Sequence, residues 1–191
     1  MKETELTSLQ QAMVAAWERH VTAEFVEKDV AATMPTMTAN PFVNHVPVMT
    51  GGVGFDNVRS FYARYFLPGH PADTLSLPVA RTIGSDRIVE ELVHTFTHDI
   101  EMPWILPGVP PTGKRVEVAI VAVVQFEGDK IAGERIYWDQ ASVLAQVGLL
   151  DSTNLPINGA ASARKVLDPA SEPANALIER GPGGRRATTA A

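Results

Sequence analysis

The chain has 191 residues, 45% of them hydrophobic and 20% charged, with a formal net charge of −6 and no cysteine. That length predicts one domain, and the apolar share excludes a mostly disordered or collagen-like chain. The missing thiols exclude disulfide scaffolds, Cys-ligated zinc, iron–sulfur clusters and cysteine nucleophiles, and the acidic balance argues against nucleic acid or an anionic membrane surface as partner.

The opening MKETELTSLQQ has no apolar run of signal-peptide type. No segment approaches the roughly 18–20 apolar residues of a spanning helix, so a cytoplasmic protein is expected. Leu6, Leu9, Met13, Trp17, Val21 and Phe25 recur at three- and four-residue steps and predict an amphipathic first helix. Asp29 before Val30-Ala31-Ala32 predicts a short second helix with that carboxylate as N-cap. Asp56 reads as the N-cap of a third, whose stripe of Val58, Phe61, Tyr62, Tyr65 and Phe66 ends at Pro68-Gly69. An aromatic stripe of this kind is core, or one wall of a cavity.

The second half reads as sheet. Residues 77–83 and 87–98, joined by Gly84-Ser85-Asp86, form one hairpin. Val89, Leu92, Val93 and Phe96 also fit a helix there, but Thr95, Thr97 and the preceding turn favour strand. Residues 116–126 and 130–139, joined by Gly128-Asp129, form a second hairpin. Between the two hairpins, EMPWILPGVPPTG (101–113) holds four prolines, which cannot donate to a strand ladder. It reads as a stiff loop exposing Trp104, Ile105, Leu106 and Val109, and loops of this length are more often functional than idle. A short helix at 141–147 closes on Gly148. Helices followed by antiparallel strands give an α+β fold, with helices on one face of a curved sheet. Residues 1–155 form that domain. Residues 156–191 are a C-terminal arm rich in Ala, Pro and Gly, expected to be partly disordered with one helical turn near 161–167.

Walker A, GxGxxG, HExxH and GxSxG signatures are all missing. Carboxylates, aromatics and five histidines, at 20, 45, 70, 94 and 98, are what can carry chemistry. His94 and His98 would share a face on a helix and could chelate a metal. On a strand they stand ~13 Å apart, too far for one ion with ligands at about 2 Å. The strand reading therefore assigns no metal. Asp139 ends the last strand, on the face of Tyr137 and Arg135. Pointing into an apolar cavity it could take a proton; alternatively it caps the following helix.

The segments NPFVNHVPVMTGG, TFTH, LPGVPPTGKRVEV and GDKIAGERIYWDQASVLAQVGLL resemble the SnoaL-like polyketide cyclases of the nuclear transport factor 2-like superfamily, over roughly residues 10–150. The resemblance implies a cone-shaped α+β barrel: three N-terminal helices close over a strongly bent antiparallel sheet with one deep pocket between. It implies acid–base catalysis on a small to medium apolar carbonyl compound, by aldol-type cyclisation or isomerisation, with no metal or organic cofactor. By position Asp139 becomes the base, His98 its electrophilic or proton-shuttling partner and His45 a pocket residue. Trp17, Tyr62, Phe66, Glu91, His94, Trp104 and Tyr137 are the candidate substrate contacts. A small-molecule substrate and a second copy of the chain, in a homodimer, are the expected partners. The sequence departs from the family in reading Phe96-Thr97-His98-Asp99 where GTH and Gly are usual, and in its long apolar Pro-rich loop. Two other functions use the same pocket: hydrolysis of an epoxide or lactone, and non-catalytic binding.

Overall fold

The structure, a computed structural model, describes residues 5–180. Helix α1 (Ser8–Thr22) opens on a reciprocal cap, the Gln10 N–H reaching Thr7 Oγ1 at 3.2 Å and the Thr7 N–H reaching Gln10 Oε1 at 2.9 Å. It runs on into a wider π turn, Ala23–Glu27, and stops where Lys28 turns left-handed. Its buried face departs from the apolar stripe. Met13, Trp17, His20, Ala23 and Glu24 are buried while Leu6 and Leu9 are exposed, so a histidine and a glutamate are carried inward. Asp29 caps α2 (Val30–Thr33) as expected, accepting from the Ala31 N–H at 2.8 Å.

Two strands escape the sequence reading. β1 (Met37–His45) and β2 (Thr50–Val53) pair as a hairpin, with His45 opposite Thr50. A register irregularity between Met37 and Phe42 spans Asn40-Pro41 and breaks the alternation that would have marked β1. Gly51 is obligatory in this hairpin: its φ is 137°, and a Cβ would lie 2.0 Å from the Val43 carbonyl oxygen. Helix α3 (Phe55–Phe61) begins after Gly54, so Asp56 sits in its first turn and not at the cap. There its charge still faces the positive end of the helix. This helix also widens into a π turn, Tyr62–Phe66.

Strands β3 (Leu75–Ile83), β4 (Arg87–Thr97), β5 (Arg115–Glu127) and β6 (Lys130–Trp138) make the two expected hairpins. The six strands form one sheet in the order β2-β1-β6-β5-β4-β3. β1 and β6 run parallel, so the sheet is mixed where an antiparallel one was expected. Its edges β2 and β3 do not pair, which leaves a curved open sheet and not a closed barrel. Along β5, Val116, Val118, Ile120, Ala122, Val124 and Phe126 are buried on the core face, and the residues between them face outward.

Beyond the end of β6, helix α4 (Gln140–Gln146) completes the ladder with a side chain. Gln146 accepts from the Glu117 N–H at 2.9 Å and donates to its carbonyl at 3.0 Å. Gly148, at φ 79°, ends this helix as expected. Helix α5 (Ala160–Leu167) packs on the outer face, where Arg164 pairs with Glu117 at 3.1 Å and Ala163 is fully buried. The arm thus starts with a docked helix and continues to α6 (Ala176–Glu179); residues 181–191, with Arg185 and Arg186, lie outside the described residues.

The Pro-rich segment overturns an expectation. Met102, Trp104, Ile105 and Leu106 are buried, not exposed, and plug one end of the core. Their polar atoms find partners around the rim. Trp104 Nε1–H donates to the Gly69 carbonyl at 2.8 Å, Thr50 Oγ1 to the Trp104 carbonyl at 2.7 Å, and Gln140 Nε2 to the Ile105 carbonyl at 3.0 Å. A loop without ladder bonds can be buried only when its backbone is satisfied in this way. Trp104, Ile105 and Leu106 are therefore spent within the chain, and Val109 beside them is half-buried.

Candidate active site

Between α1, the π turn after α3 and the core face of the sheet lies a cavity of about 390 Å³. Its walls are largely apolar, with Val21, Phe25, Val43, Phe66, Leu92, Ile120 and Ile136 among them. Polar groups enter it in three places.

The first is a buried cluster on α1 and β6. His20 Nε2 lies 3.0 Å from Glu24 Oε1 and 3.2 Å from Glu134 Oε1, and the Tyr62 hydroxyl donates to Glu134 Oε1 at 3.0 Å. Glu24 and Tyr62 both sit in the π turns and line the cavity, and such turns are frequent at functional sites. Burial by itself would lower the pKa of His20. The two carboxylates outweigh it and raise the imidazole to about 10. Burial raises Glu24, against the pull of His20. Tyr62 is held far above its ordinary value by burial and by the carboxylates beside it.

The second is a set of uncharged imidazoles at the plugged end. His45 closes β1, with Nδ1 3.2 Å from Thr50 Oγ1 and its ring stacked on Phe66. His94 reaches Ser76 at 3.0 Å, and its Nε2 is buried without a partner. His70 stacks on Trp104 behind them. Burial, reinforced by His70, pushes His45 and His94 down to about 3; burial takes His70 to about 4. All three are neutral at pH 7. The third is Glu90, which accepts from Trp17 Nε1 and from Arg81 at 3.0 Å. Arg81 also reaches Glu18 at 3.1 Å, so this group ties α1 to the edge strand β3.

The structure brings together six of the ten candidate residues: His45, Trp17, Tyr62, Phe66, His94 and Trp104 line the cavity. Asp139 does not. It is exposed and caps α4, accepting from the Ser142 N–H at 3.2 Å and the Ser142 hydroxyl at 2.6 Å. His98 is buried just past β4, bonded to Thr112 at 3.2 Å where the Pro-rich segment returns, and is not part of the lining. Glu91 and Tyr137 lie on the outer face, each opposite Val121 of β5. The cavity glutamate of β4 is Glu90, one residue away. Parity would have found it, since Ile88, Leu92, His94 and Phe96 share its face. The principal residues missed are His20, Glu24 and Glu134. His20 and Glu24 stand four apart on one helix face, a pairing readable from sequence. Glu134 gives no comparable signal, because an irregularity between Gln125 and Phe126 shifts the alternation of β6.

Comparison with known proteins agrees with this architecture. The chain is similar to the structure of a putative SnoaL-like polyketide cyclase from Jannaschia sp. CCS1 (17% identity, TM-score 0.64, covering 78% of this chain and 100% of that one). It is also similar to AclR, a putative hydroxylase from Streptomyces galilaeus (19%, 0.56, 75% and 89%), and to TsrD from Streptomyces laurentii (17%, 0.57, 76% and 100%). At such identities the likeness is one of fold, and that fold is nuclear transport factor 2-like. No curated protein sequence matches the chain. The family model for SnoaL-like polyketide cyclases matches residues 7–147, and the chain belongs to that family.

Proposed function

We propose that the chain is a proton-transfer enzyme of the SnoaL-like kind, acting on a small to medium apolar carbonyl compound by aldol-type cyclisation or isomerisation. One observation carries this reading: two carboxylates, clamped about one imidazole, open onto a largely apolar cavity. Burying such a group contributes little to stability, so function is the better account of its presence. Family membership supports the reaction class, and the cavity volume suits a ligand of that size.

In this reading Glu134, fixed by Tyr62 and His20, takes the proton α to the substrate carbonyl. His20, protonated at neutral pH, pairs with both Glu134 and Glu24, and the abstracted proton stays on Glu134 until it is returned to the substrate. The uncharged His45 and His94 face the substrate without imposing a charge, which suits a carbonyl and not a carboxylate or phosphate. Asp139 acts through the fold, as a cap. The test is proton–deuterium exchange at the α-carbon of apolar ketones in heavy water, followed by NMR. Wild-type protein accelerates exchange and Glu134→Gln does not. Incorporation of solvent oxygen-18 into product, with no exchange, would point to epoxide or lactone hydrolysis instead.

A further inference from the structure

Where α1, the π turn after α3 and β6 meet, four donor atoms converge. His20 Nε2 lies 3.0 Å from Glu24 Oε1 and 3.2 Å from both Glu134 Oε1 and the Tyr62 hydroxyl. We propose that His20, Glu24 and Glu134 form a site for one divalent transition-metal cation, with an open coordination position facing the cavity. The inference goes beyond the proton-transfer reading and does not rest on it. The cluster can hold a cation whether or not its carboxylates turn over a substrate.

The orientation of His20 is set from outside the cluster. Thr36 donates its hydroxyl proton to the Thr33 carbonyl at 2.6 Å, so its oxygen can only accept from His20 Nδ1, also at 2.6 Å. Nδ1 therefore carries a proton, and Nε2 is the atom turned toward the carboxylates. This is how metal-binding histidines are held, the far nitrogen donating to a fixed partner. Charge gives a second argument. All three residues are at least 95% buried, and among the described residues no Lys or Arg pairs with either glutamate. Burial raises Glu24, which favours a proton there over a second bare charge beside Glu134, and a divalent cation can take the place of the cluster's protons. With a neutral imidazole and both carboxylates ionised, that cation brings the sum to zero.

Spacing agrees. Two ligands about 2.1 Å from one ion, at tetrahedral or right angles, stand about 3.0–3.4 Å apart, and the imidazole–carboxylate separations are 3.0 and 3.2 Å. Access is provided because Glu24 and Glu134 line the cavity. One imidazole and two carboxylates suit Zn²⁺, Mn²⁺, Fe²⁺ or Co²⁺. They do not suit Ca²⁺, which asks for six to eight oxygens, or Cu⁺, which prefers sulfur.

The experiment titrates the full chain, stripped with chelator, with Co²⁺ and Zn²⁺. It reads visible d–d absorption and calorimetric stoichiometry. One equivalent binds to wild-type protein. Glu24→Gln and Glu134→Gln, which keep shape and hydrogen-bonding capacity, each weaken binding at least tenfold, while Glu91→Gln on the outer face binds as wild type. Circular dichroism confirms that each variant is folded, and His20→Gln replaces any that is not. Absence of binding to wild-type protein overturns the proposal, as does binding that none of the three cluster variants weakens. Because the readout is metal and not turnover, failure here leaves the exchange test of the proposed reaction standing, and the converse holds.

Discussion

Lowering the pH from 7.5 to 5 strains the plugged end of the cavity, where three histidines are held neutral. In an unfolded chain each has its ordinary pKa of 6.5; in the fold His45 and His94 stand at about 3 and His70 at about 4. Between those values the unfolded state binds protons that the native state refuses, so stability rises with pH across this window and falls as acid is added. At pH 5 the deficit is at most about 2 kcal/mol for each histidine, or about 6 kcal/mol for the three together. That approaches the whole stability of an ordinary domain, about 5–15 kcal/mol. His20, raised to about 10, is protonated in both states below pH 6.5 and contributes no slope there. Urea unfolding followed by tryptophan fluorescence at half-unit pH steps measures the effect. The midpoint should collapse between pH 6.5 and 5. In His94→Gln the slope should be shallower by about 1.4 kcal/mol per pH unit. A midpoint unchanged between pH 7.5 and 5 would show that these imidazoles titrate normally and that the end is not dry.

Trp104→Ala removes the ring that stacks on His70 and packs against His45 and Phe66. It should cost about 3–5 kcal/mol in chemical denaturation, where an exposed tryptophan would cost almost nothing. Gly51→Ala places a Cβ against the Val43 carbonyl at a forbidden φ, and should lower the melting temperature by several degrees or abolish soluble expression. Asp139→Ala, which deletes the α4 cap, should cost about 1 kcal/mol, whereas Asp139→Asn should be nearly neutral because Asn caps equally well.

How far the sequence disclosed this molecule follows from which signals are local. The β3–β6 hairpins were legible because Gly128-Asp129 and Gly84-Ser85-Asp86 are turn signals at the ends of β-branched runs. β1 and β2 were hidden because Asn40-Pro41 disrupts one and the other is four residues long. The Pro-rich loop reads as exposed in the sequence because proline predicts a loop and loops are normally at the surface. Its burial depends on Gly69, Thr50 and Gln140, distant positions whose groups satisfy its polar atoms. At the site, Asp139 drew attention by standing at a strand end, and whether such a residue caps or projects is a matter of one dihedral that pattern does not contain. The His20–Glu24–Glu134 cluster depends on α1 meeting β6, a tertiary fact. Only the four-residue spacing of its first two members was visible in advance.

In the proposed reaction proton transfer belongs to the cavity cluster and not to the carboxylate at the end of β6. This assignment is tested most directly by running Glu134→Gln and Asp139→Asn side by side in the ketone exchange assay, with both variants shown to be folded. Exchange of the α-hydrogens should fall at least a hundredfold in Glu134→Gln and stay within a factor of two of wild type in Asp139→Asn. Loss of exchange in Asp139→Asn, with Glu134→Gln unaffected, would contradict the assignment and return the chemistry to the strand end.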